Sequence, residues 1–243
     1  MNSNNWKERT ELLIGSDGVT KLQNSHVLVA GLGGVGGYAV EQLCRAGIGK
    51  LTLVDADVVQ PGNRNRQIIA LKSTENLKKT EVFEKRLKDI NPEIQLIVKP
   101  VYLVDKTIDE ILKENYDYIV DAIDTITPKV QLLVKSKERG FNIVSSMGAG
   151  GKFNPSKIEI VDISESHHCK FASVIRKYLR KYNIHNGIKV VFSSETVAKQ
   201  AVIEMENEKY KKSTVGTISY MPSLFGCFCA SVVIRDLINE KTV

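Results

Sequence analysis

The chain has 243 residues, and its 42% hydrophobic content supports the packed core of one large domain. Four scattered cysteines argue against a disulfide framework. No apolar segment follows a basic start, and the apolar run at 221–234 is short for a membrane span, so we expect a cytoplasmic protein with reduced thiols and no membrane partner. A formal charge of +6 and a pI near 9.0 suggest an anionic partner such as RNA.

The stretch HVLVAGLGGVGG, which begins at His26, predicts a buried strand, a tight turn and the start of a helix. The helical period continues over 38–46. Gly31, Gly33 and Gly36 have the G-x-G-x-x-G spacing, which lets the backbone approach a pyrophosphate at a helix N-terminus. The same spacing serves NAD and FAD and also occurs in purely structural turns, so alone it does not choose the nucleotide.

A second apolar strand at 51–54 ends in Asp55, about twenty residues beyond the glycines, where an acidic residue accepts a ribose hydroxyl. A polar strand end is the simpler alternative. The segment PGNRNRQ at 61–67 carries more cations and amides than a connection requires. Because arginine donates hydrogen bonds in pairs and stays charged, this loop suits a triphosphate, although a solvated surface loop has the same composition.

An amphipathic helix is expected over 74–91, with Lys79 near its start. A lysine there opposes the helix dipole, so it indicates an anionic ligand unless it is simply solvated. Asp124 follows the strand at 118–120 and faces the ligand crevice, where it could hold Mg²⁺. The other predicted elements alternate strand and helix: strands at 94–98 and 142–145, helices at 107–115 and 128–139. This alternation predicts an α/β fold with a doubly wound, mostly parallel, Rossmann-like sheet.

The last third no longer alternates cleanly and is expected to face the substrate. Short strands are predicted at 158–161 and 189–192, and a long apolar helix at 222–239 belongs in the core or a subunit interface. The helix at 171–182 has two faces. Its apolar face is predicted to contain Val174, Ile175, Tyr178, Leu179 and Tyr182. Its basic face contains Arg176, Lys177, Arg180 and Lys181, which either attract a phosphate backbone or are only solvated.

Four motifs, taken in order, resemble those of the E1-like adenylating family, which includes sulfur-carrier-protein activators and ubiquitin-activating enzymes. They are G-L-G-G-V-G, D-A-D, N-R-N-R-Q and D-A-I-D, all within residues 6–150. The resemblance implies ATP binding, with Asp55 on the ribose. It also implies that Arg66 and Lys79 take phosphates and that Asp124 binds Mg²⁺, which makes these three the predicted catalytic residues.

The resemblance extends the predicted ATP site beyond these residues. The nucleotide-binding set that it implies is Gly31, Gly33, Gly34, Gly36, Asp55, Asp57, Asn63, Arg66 and Lys79. Arg9 matches an N-terminal arginine that reaches the ATP site of the partner subunit, which implies a homodimer. We therefore expect a single E1-like adenylation domain with a helical arm at 1–25, a nucleotide-binding core at 26–150, and a tRNA-facing and dimer-forming part at 151–243.

Within the family the chain is most similar to the tRNA threonylcarbamoyladenosine dehydratases, by M-G-A-G-G, I-R-K-Y-L-R-K, V-V-F-S-S-E and S-Y-M-P-S-L-F-G. This implies ligase-type, ATP-dependent cyclisation of threonylcarbamoyladenosine in tRNA: its carboxylate is adenylated, an intramolecular attack closes a ring, and AMP and pyrophosphate leave. One segment departs from the relatives, because C-K-F-A at Cys169 replaces an acidic-proline-leucine-alanine segment. The role of Cys169, a monovalent cation, and sulfur-transfer or redox protein partners are left open.

Three alternatives stay open at this point. Activation of the C-terminus of a small ubiquitin-like sulfur-carrier protein uses the same ATP site, but that branch typically adds cysteine pairs or a catalytic cysteine, and C-x-x-C is absent here. An NAD(P)-dependent oxidoreductase would use the glycines and Asp55 without needing Arg66, Lys79 and Asp124 together. An RNA-binding scaffold without catalysis would need only the basic helix.

Overall fold

The computed structural model describes residues 5–204 and 213–239, which form seven α-helices, six short 3₁₀ turns and nine strands. The helices are α1 Glu8–Asn24, α2 Gly36–Ala46, α3 Lys79–Ile90, α4 Asp105–Ile111, α5 Ile126–Glu138, α6 Lys170–Leu179 and α7 Tyr220–Leu237. The strands are β1 His26–Ala30, β2 Lys50–Val54, β3 Gln95–Lys99, β4 Tyr118–Asp121, β5 Ile143–Ser146, β6 Ile158–Asp162, β7 Lys189–Ser193, β8 Val202–Glu204 and β9 Ser213–Val215.

Seven strands form one sheet in the order β3-β2-β1-β4-β5-β7-β6, and β8 pairs separately with β9. Every neighbouring pair in the large sheet is parallel except β6 with β7. Because β1 lies between β2 and β4, the strand order reverses beside β1, and ligands of doubly wound sheets bind at the carboxyl ends of the strands at such a point. The predicted fold class is confirmed, and the glycine turn after β1 lies at this reversal.

Apolar side chains fill both faces of the sheet, as buried parallel strands require. On one face α2, α3 and α7 pack on the strands, with Leu43, Phe83 and Phe225 fully buried. On the other face α4, α5 and α6 contribute residues such as Leu132 and Ile175. The C-terminal helix therefore shares its core with the helix that follows the glycine turn.

Helix α7 is long and apolar enough to span a membrane by length and composition alone. Its buried side chains instead pack on α2 and on β4, β5 and β7. The approach to α2 is close: a Cβ added to Gly226 would lie 2.3 Å from the carbonyl oxygen of Val35. Such packing is that of a core helix, in line with the sequence-based expectation for this segment.

The N-terminal arm is helical but kinked at Gly15, whose φ is 74°. After the kink the helix buries Val19 and Leu22 against the core. Before the kink Leu12 and Leu13 are 77% and 84% exposed. The first half of the arm therefore presents an apolar surface to the outside of the chain.

Candidate nucleotide-binding site

The turn after β1 is built so tightly that two of its positions accept only glycine. Gly31 has a φ of 89°, and a Cβ there would lie 2.9 Å from the carbonyl oxygen of Ala122. A Cβ on Gly36 would lie 1.8 Å from the carbonyl oxygen of Gly31. Gly33 has open space around it, with only the Gln67 amide nitrogen 3.8 Å from the added Cβ. The turn thus leaves its backbone accessible at the N-terminus of α2, as a phosphate ligand needs.

Substituting Gly36 with alanine should therefore destabilise the fold, by roughly 3 kcal/mol or more, because the new methyl group collides with backbone that cannot move aside cheaply. Urea unfolding of the variant measures this loss. The control is Gly62→Ala, since no atom lies within 4 Å of a Cβ at Gly62. Equal stability of the two variants would contradict the close approach in the turn.

Asp55 braces the glycine turn from the end of β2. Its carboxylate accepts hydrogen bonds from the backbone N–H of Leu32 at 2.7 Å and of Asp57 at 2.8 Å. Burial raises the pKa of Asp55, although the nearby Lys79 ammonium and the two N–H donors oppose this shift. The Asp55 side chain therefore shapes the loop through hydrogen bonds within the protein itself. Its contact with a ribose stays a prediction.

Lys79, the first residue of α3, lies at the same place although it is only 4% exposed. Its ammonium is 2.8 Å from a carboxylate oxygen of Asp57 and 3.7 Å from one of Asp55. These two carboxylates explain how a lysine is tolerated at a helix N-terminus without any ligand. A phosphate contact of Lys79 would have to compete with the ion pair to Asp57.

Arg66 reaches the glycine turn from the loop at 61–67. Its Cγ lies 3.3 Å from a Cβ added to Gly34, and its guanidinium donates to the Gly62 carbonyl at 3.0 Å and to the Asn65 side chain at 2.7 Å. Asn63 has a local role, because its side chain accepts the N–H of Gln60 at 3.0 Å. Arg66 is thus placed beside the turn, whereas Asn63 shapes the loop that carries it.

The side chain of Gln67 is the feature of this loop that the motif alone left without a role. It is 8% exposed, and its Oε1 has no hydrogen-bond partner among the described residues. A buried acceptor without a protein partner needs a donor such as a water or a hydroxyl group. The atom of Gln67 nearest the open space at Gly33 is its amide nitrogen, which is a donor and so suits a phosphate oxygen.

Asp124 lies exposed in the connection between β4 and α5. Two residues earlier, Ala122 packs directly on the glycine turn, so Asp124 belongs to the rim of the same crevice. In the described part of the chain no group of three or more histidine, cysteine or acidic side chains could hold a metal. Mg²⁺ would fit here only as an ion shared by Asp124, phosphate oxygens and water, which is its usual mode of binding to nucleotide sites.

A buried ion pair that the sequence did not reveal supports this connection. Lys129 Nζ lies 2.6 Å from Asp121 Oδ2, and both side chains are completely buried. The Ser145 hydroxyl donates to the same carboxylate oxygen at 2.6 Å and accepts from Lys129 at 3.1 Å. The other oxygen of Asp121 accepts the N–H of Ile123 at 3.1 Å. This triad of Asp121, Lys129 and Ser145 therefore fixes the backbone one residue before Asp124.

Two groups of predicted residues lie away from the crevice. Arg9 is exposed on α1, and the nearby Lys7 packs at Gly47. Gly47 follows the C-terminus of α2, at the end of the sheet opposite to the glycine turn. Within one chain Arg9 therefore does not join the site. On α6, Arg176 is half-buried and its guanidinium donates to the Ser166 carbonyl at 2.5 Å, while the other three basic residues are exposed. These three are Lys177 on α6 and Arg180 and Lys181 in the 3₁₀ turn that follows it.

The ThiF family model matches residues 8–243. The chain is a member of the ThiF family. The resemblance to E1-like adenylating proteins is thereby confirmed. The chain is also 37% identical over 239 residues to a tRNA threonylcarbamoyladenosine dehydratase of Bacillus subtilis, and the match covers 96% of this chain and 94% of that protein.

Solved structures agree with this ThiF assignment. The crystal structure of the Escherichia coli tRNA N6-threonylcarbamoyladenosine dehydratase in complex with ATP superposes with a TM-score of 0.88 at 28% identity, covering 99% of this chain and 98% of that one. By contrast, the adenylyltransferase and sulfurtransferase UBA4 of Vanderwaltozyma polyspora is 32% identical over 155 residues, which cover 64% of this chain and 35% of that protein.

Proposed function

We propose that this protein is an ATP-dependent tRNA threonylcarbamoyladenosine dehydratase. The observation that carries the proposal is the near full-length similarity to dehydratases, one of which was crystallised with ATP. The crevice at the glycine turn supplies suitable chemistry, because it gathers backbone donors, Arg66 and Lys79 around one space. These two side chains, with Asp124, are the residues that we assign to catalysis.

In the proposed reaction a carboxylate oxygen of the modified nucleoside attacks the α-phosphorus of ATP, and pyrophosphate leaves. An atom of the same threonylcarbamoyl group then attacks the acyl carbon, and AMP leaves with the carboxylate oxygen, so the substrate loses one water overall. A carboxylate is a poor electrophile until its oxygen belongs to a good leaving group. The protein therefore has mainly to offset phosphate charge and to align the attack, and no nucleophilic cysteine is required.

The proposal includes several features of the surroundings. Mg²⁺ bound at Asp124 would offset negative charge on the phosphates. The predicted homodimer would bring Arg9 of the partner subunit to the site that the same chain's Arg9 does not reach, and the exposed first half of α1 is a suitable contact surface. We propose one functional domain with the parts 1–25, 26–150 and 151–243, acting in the cytoplasm. A monovalent cation and sulfur-transfer or redox partners stay open predictions.

The decisive experiment is mass analysis of tRNA nucleosides after incubation with the protein and ATP·Mg²⁺. Loss of one water from threonylcarbamoyladenosine, together with AMP and pyrophosphate release, is expected. Unmodified tRNA is the control and should give no pyrophosphate. Pyrophosphate release that depends on a small carrier protein instead would favour the sulfur-carrier alternative, which the shorter similarity to UBA4 supports less well.

The exposed cations at the end of α6 and in the turn after it give a separate prediction about tRNA binding. Changing Lys177, Arg180 and Lys181 together to glutamate should weaken tRNA binding and reduce the slope of log affinity against log salt by about 2 to 3, because each phosphate contact contributes about one. Arg176 is left unchanged, since it holds Ser166. Filter binding at several salt concentrations measures the slope.

The matched control compares Lys85→Glu with Lys177→Glu. Lys85 is also an exposed helical lysine, but it lies on α3, on the other face of the sheet. Only the Lys177 variant should lower the slope. If the triple variant keeps the slope of the unchanged protein, the RNA surface lies elsewhere.

A further inference from the structure

An exposed aromatic pair, Phe153 and Tyr220, lies beside the proposed ATP site and has no role so far. The Phe153 side chain is 67% exposed, and its ring centroid is 6.1 Å from that of Tyr220 in an edge-to-face arrangement. Exposed aromatic side chains are common on protein surfaces, so the pair matters here because of its position, which the following contacts define.

Three contacts connect this pair to the glycine turn. Pro222, two residues after Tyr220 on α7, lies 3.0 Å from a Cβ added to Gly34. The Asn65 side chain, next to Arg66, donates to the Thr217 carbonyl at 3.1 Å. The connection after β5, which carries Phe153, is held to the same segment by the N–H of Gly151 on the Gly216 carbonyl at 2.8 Å.

The backbone of Phe153 is held in place from two sides. The Glu195 carboxylate accepts the N–H groups of Phe153 and Asn154, both at 2.8 Å, and the Tyr220 hydroxyl donates to the Phe153 carbonyl at 2.8 Å. Burial opposes ionisation of Glu195, but these N–H donors and Lys152 lower its pKa. Lys152 is itself buried and donates to the carbonyls of Ser193 and Glu195. The aromatic ring is thus exposed but preorganised.

We propose that Phe153 and Tyr220 form the platform on which the modified purine base of the tRNA stacks. The inference rests on the proposed function, because that function demands that a base-linked carboxylate reach the nucleotide at the glycine turn. In an N6-threonylcarbamoyl group the carboxylate is only four bonds from the base nitrogen, roughly 5 Å away. The base must therefore lie next to the turn, and Phe153 presents an exposed ring on this side of the described residues.

Stacking on aromatic side chains is the usual way in which proteins hold a base that has left its RNA stack. The platform would hold the base by its π-face, while Arg66 and the turn hold the nucleotide that reacts with it. This division assigns substrate positioning to the connection after β5 and to the start of α7, and nucleotide binding to the sheet reversal. The basic surface of α6 would add only phosphate contacts that do not depend on the modification.

The test measures binding and turnover separately, with Phe153→Leu and Phe153→Tyr as matched variants. The probe is an anticodon stem–loop RNA with and without the threonylcarbamoyl group, in the presence of a non-hydrolysable ATP analogue. Phe153→Leu should weaken binding of the modified RNA about tenfold, because it removes the π-face, and Phe153→Tyr should bind normally. Affinity for the ATP analogue should be equal in all three proteins. In turnover, the leucine variant should raise KM with little change in kcat.

The outcomes separate the two proposals. Normal RNA affinity of Phe153→Leu overturns the platform, and the dehydratase function stands if the unchanged protein still converts the tRNA. In another outcome, the unchanged protein binds modified RNA tightly but fails to convert it, while Phe153→Leu loses the binding. That result overturns the proposed function and supports the aromatic platform. A leucine variant that changes the sedimentation of the protein would make Phe153 a subunit contact and would overturn the platform.

Discussion

Asp124→Ala should reduce ATP-dependent release of pyrophosphate by at least about a hundredfold, while the protein stays folded. The reason is that a carboxylate that ligates Mg²⁺ directly should matter at least as much as the outer groups that orient ligands, whose loss typically costs 10–100-fold. The fold should survive because the side chain is exposed on a loop. Pyrophosphate release with modified tRNA measures the activity, and thermal unfolding measures the fold.

A magnesium titration makes this prediction specific. Asp124→Asn keeps the shape and one oxygen ligand, so its activity should recover partly at high Mg²⁺, whereas the alanine variant should recover less. Asp89→Ala is the control, because Asp89 is an exposed aspartate on α3 and lies away from the crevice. Near-normal activity of Asp124→Ala at low Mg²⁺ would show that Asp124 does not bind the ion.

The strands and the nucleotide crevice could be predicted from the sequence because buried parallel strands consist of apolar runs, and each predicted strand of the large sheet lies within two residues of its observed position. The glycine spacing predicts the turn for a similar reason, since a Cβ at Gly36 would lie 1.8 Å from the carbonyl oxygen of Gly31 and leaves no other residue type. The strand pair β8–β9 was not predicted, because its three-residue strands lack a readable pattern.

The basic helix shows where a helical period misleads. The predicted apolar face is only partly buried, because Tyr178 and Tyr182 are 40% and 54% exposed. The α-helix ends at Leu179 and tightens into a 3₁₀ turn at Arg180–Tyr182, so the helical period no longer holds at Tyr182. The helical period assigns Arg176 to the basic face that contacts phosphates or solvent, but the chain before α6 folds back and gives it a partner in Ser166.

Long-range pairing of charges was equally unreadable. The position of Lys79 in the sequence indicates either an anionic ligand or solvent, whereas in the structure Asp57, 22 residues earlier in the chain, pairs with it. Lysine and aspartate are rarely buried, so residue type alone does not predict that Lys129 and Asp121 lie inside the protein. Only the strand register, which brings Ser145 opposite Asp121, makes that pair possible.

Lys129→Met should be strongly destabilising, with a loss of about 3–5 kcal/mol in the free energy of unfolding. The substitution keeps the volume of the side chain but leaves the Asp121 carboxylate buried without its counter-charge, and removing one partner of a buried pair costs this much. Urea unfolding measures the loss. The matched control is Lys113→Met, which breaks an ion pair of two exposed side chains with Glu110 and should cost less than about 1 kcal/mol.

Replacing all three polar groups of the triad separates stability from function. The variant Asp121→Val, Lys129→Met and Ser145→Ala leaves no buried charge or unpaired hydroxyl, so its stability should return to within about 2 kcal/mol of the unchanged protein. Its activity should be lower than that of the unchanged protein, because Ile123 loses the acceptor that fixes the backbone before Asp124. If the triple variant is as unstable as Lys129→Met, burial of charge is not the cause. If it regains full activity, the triad serves stability alone and the loop holds Asp124 without it.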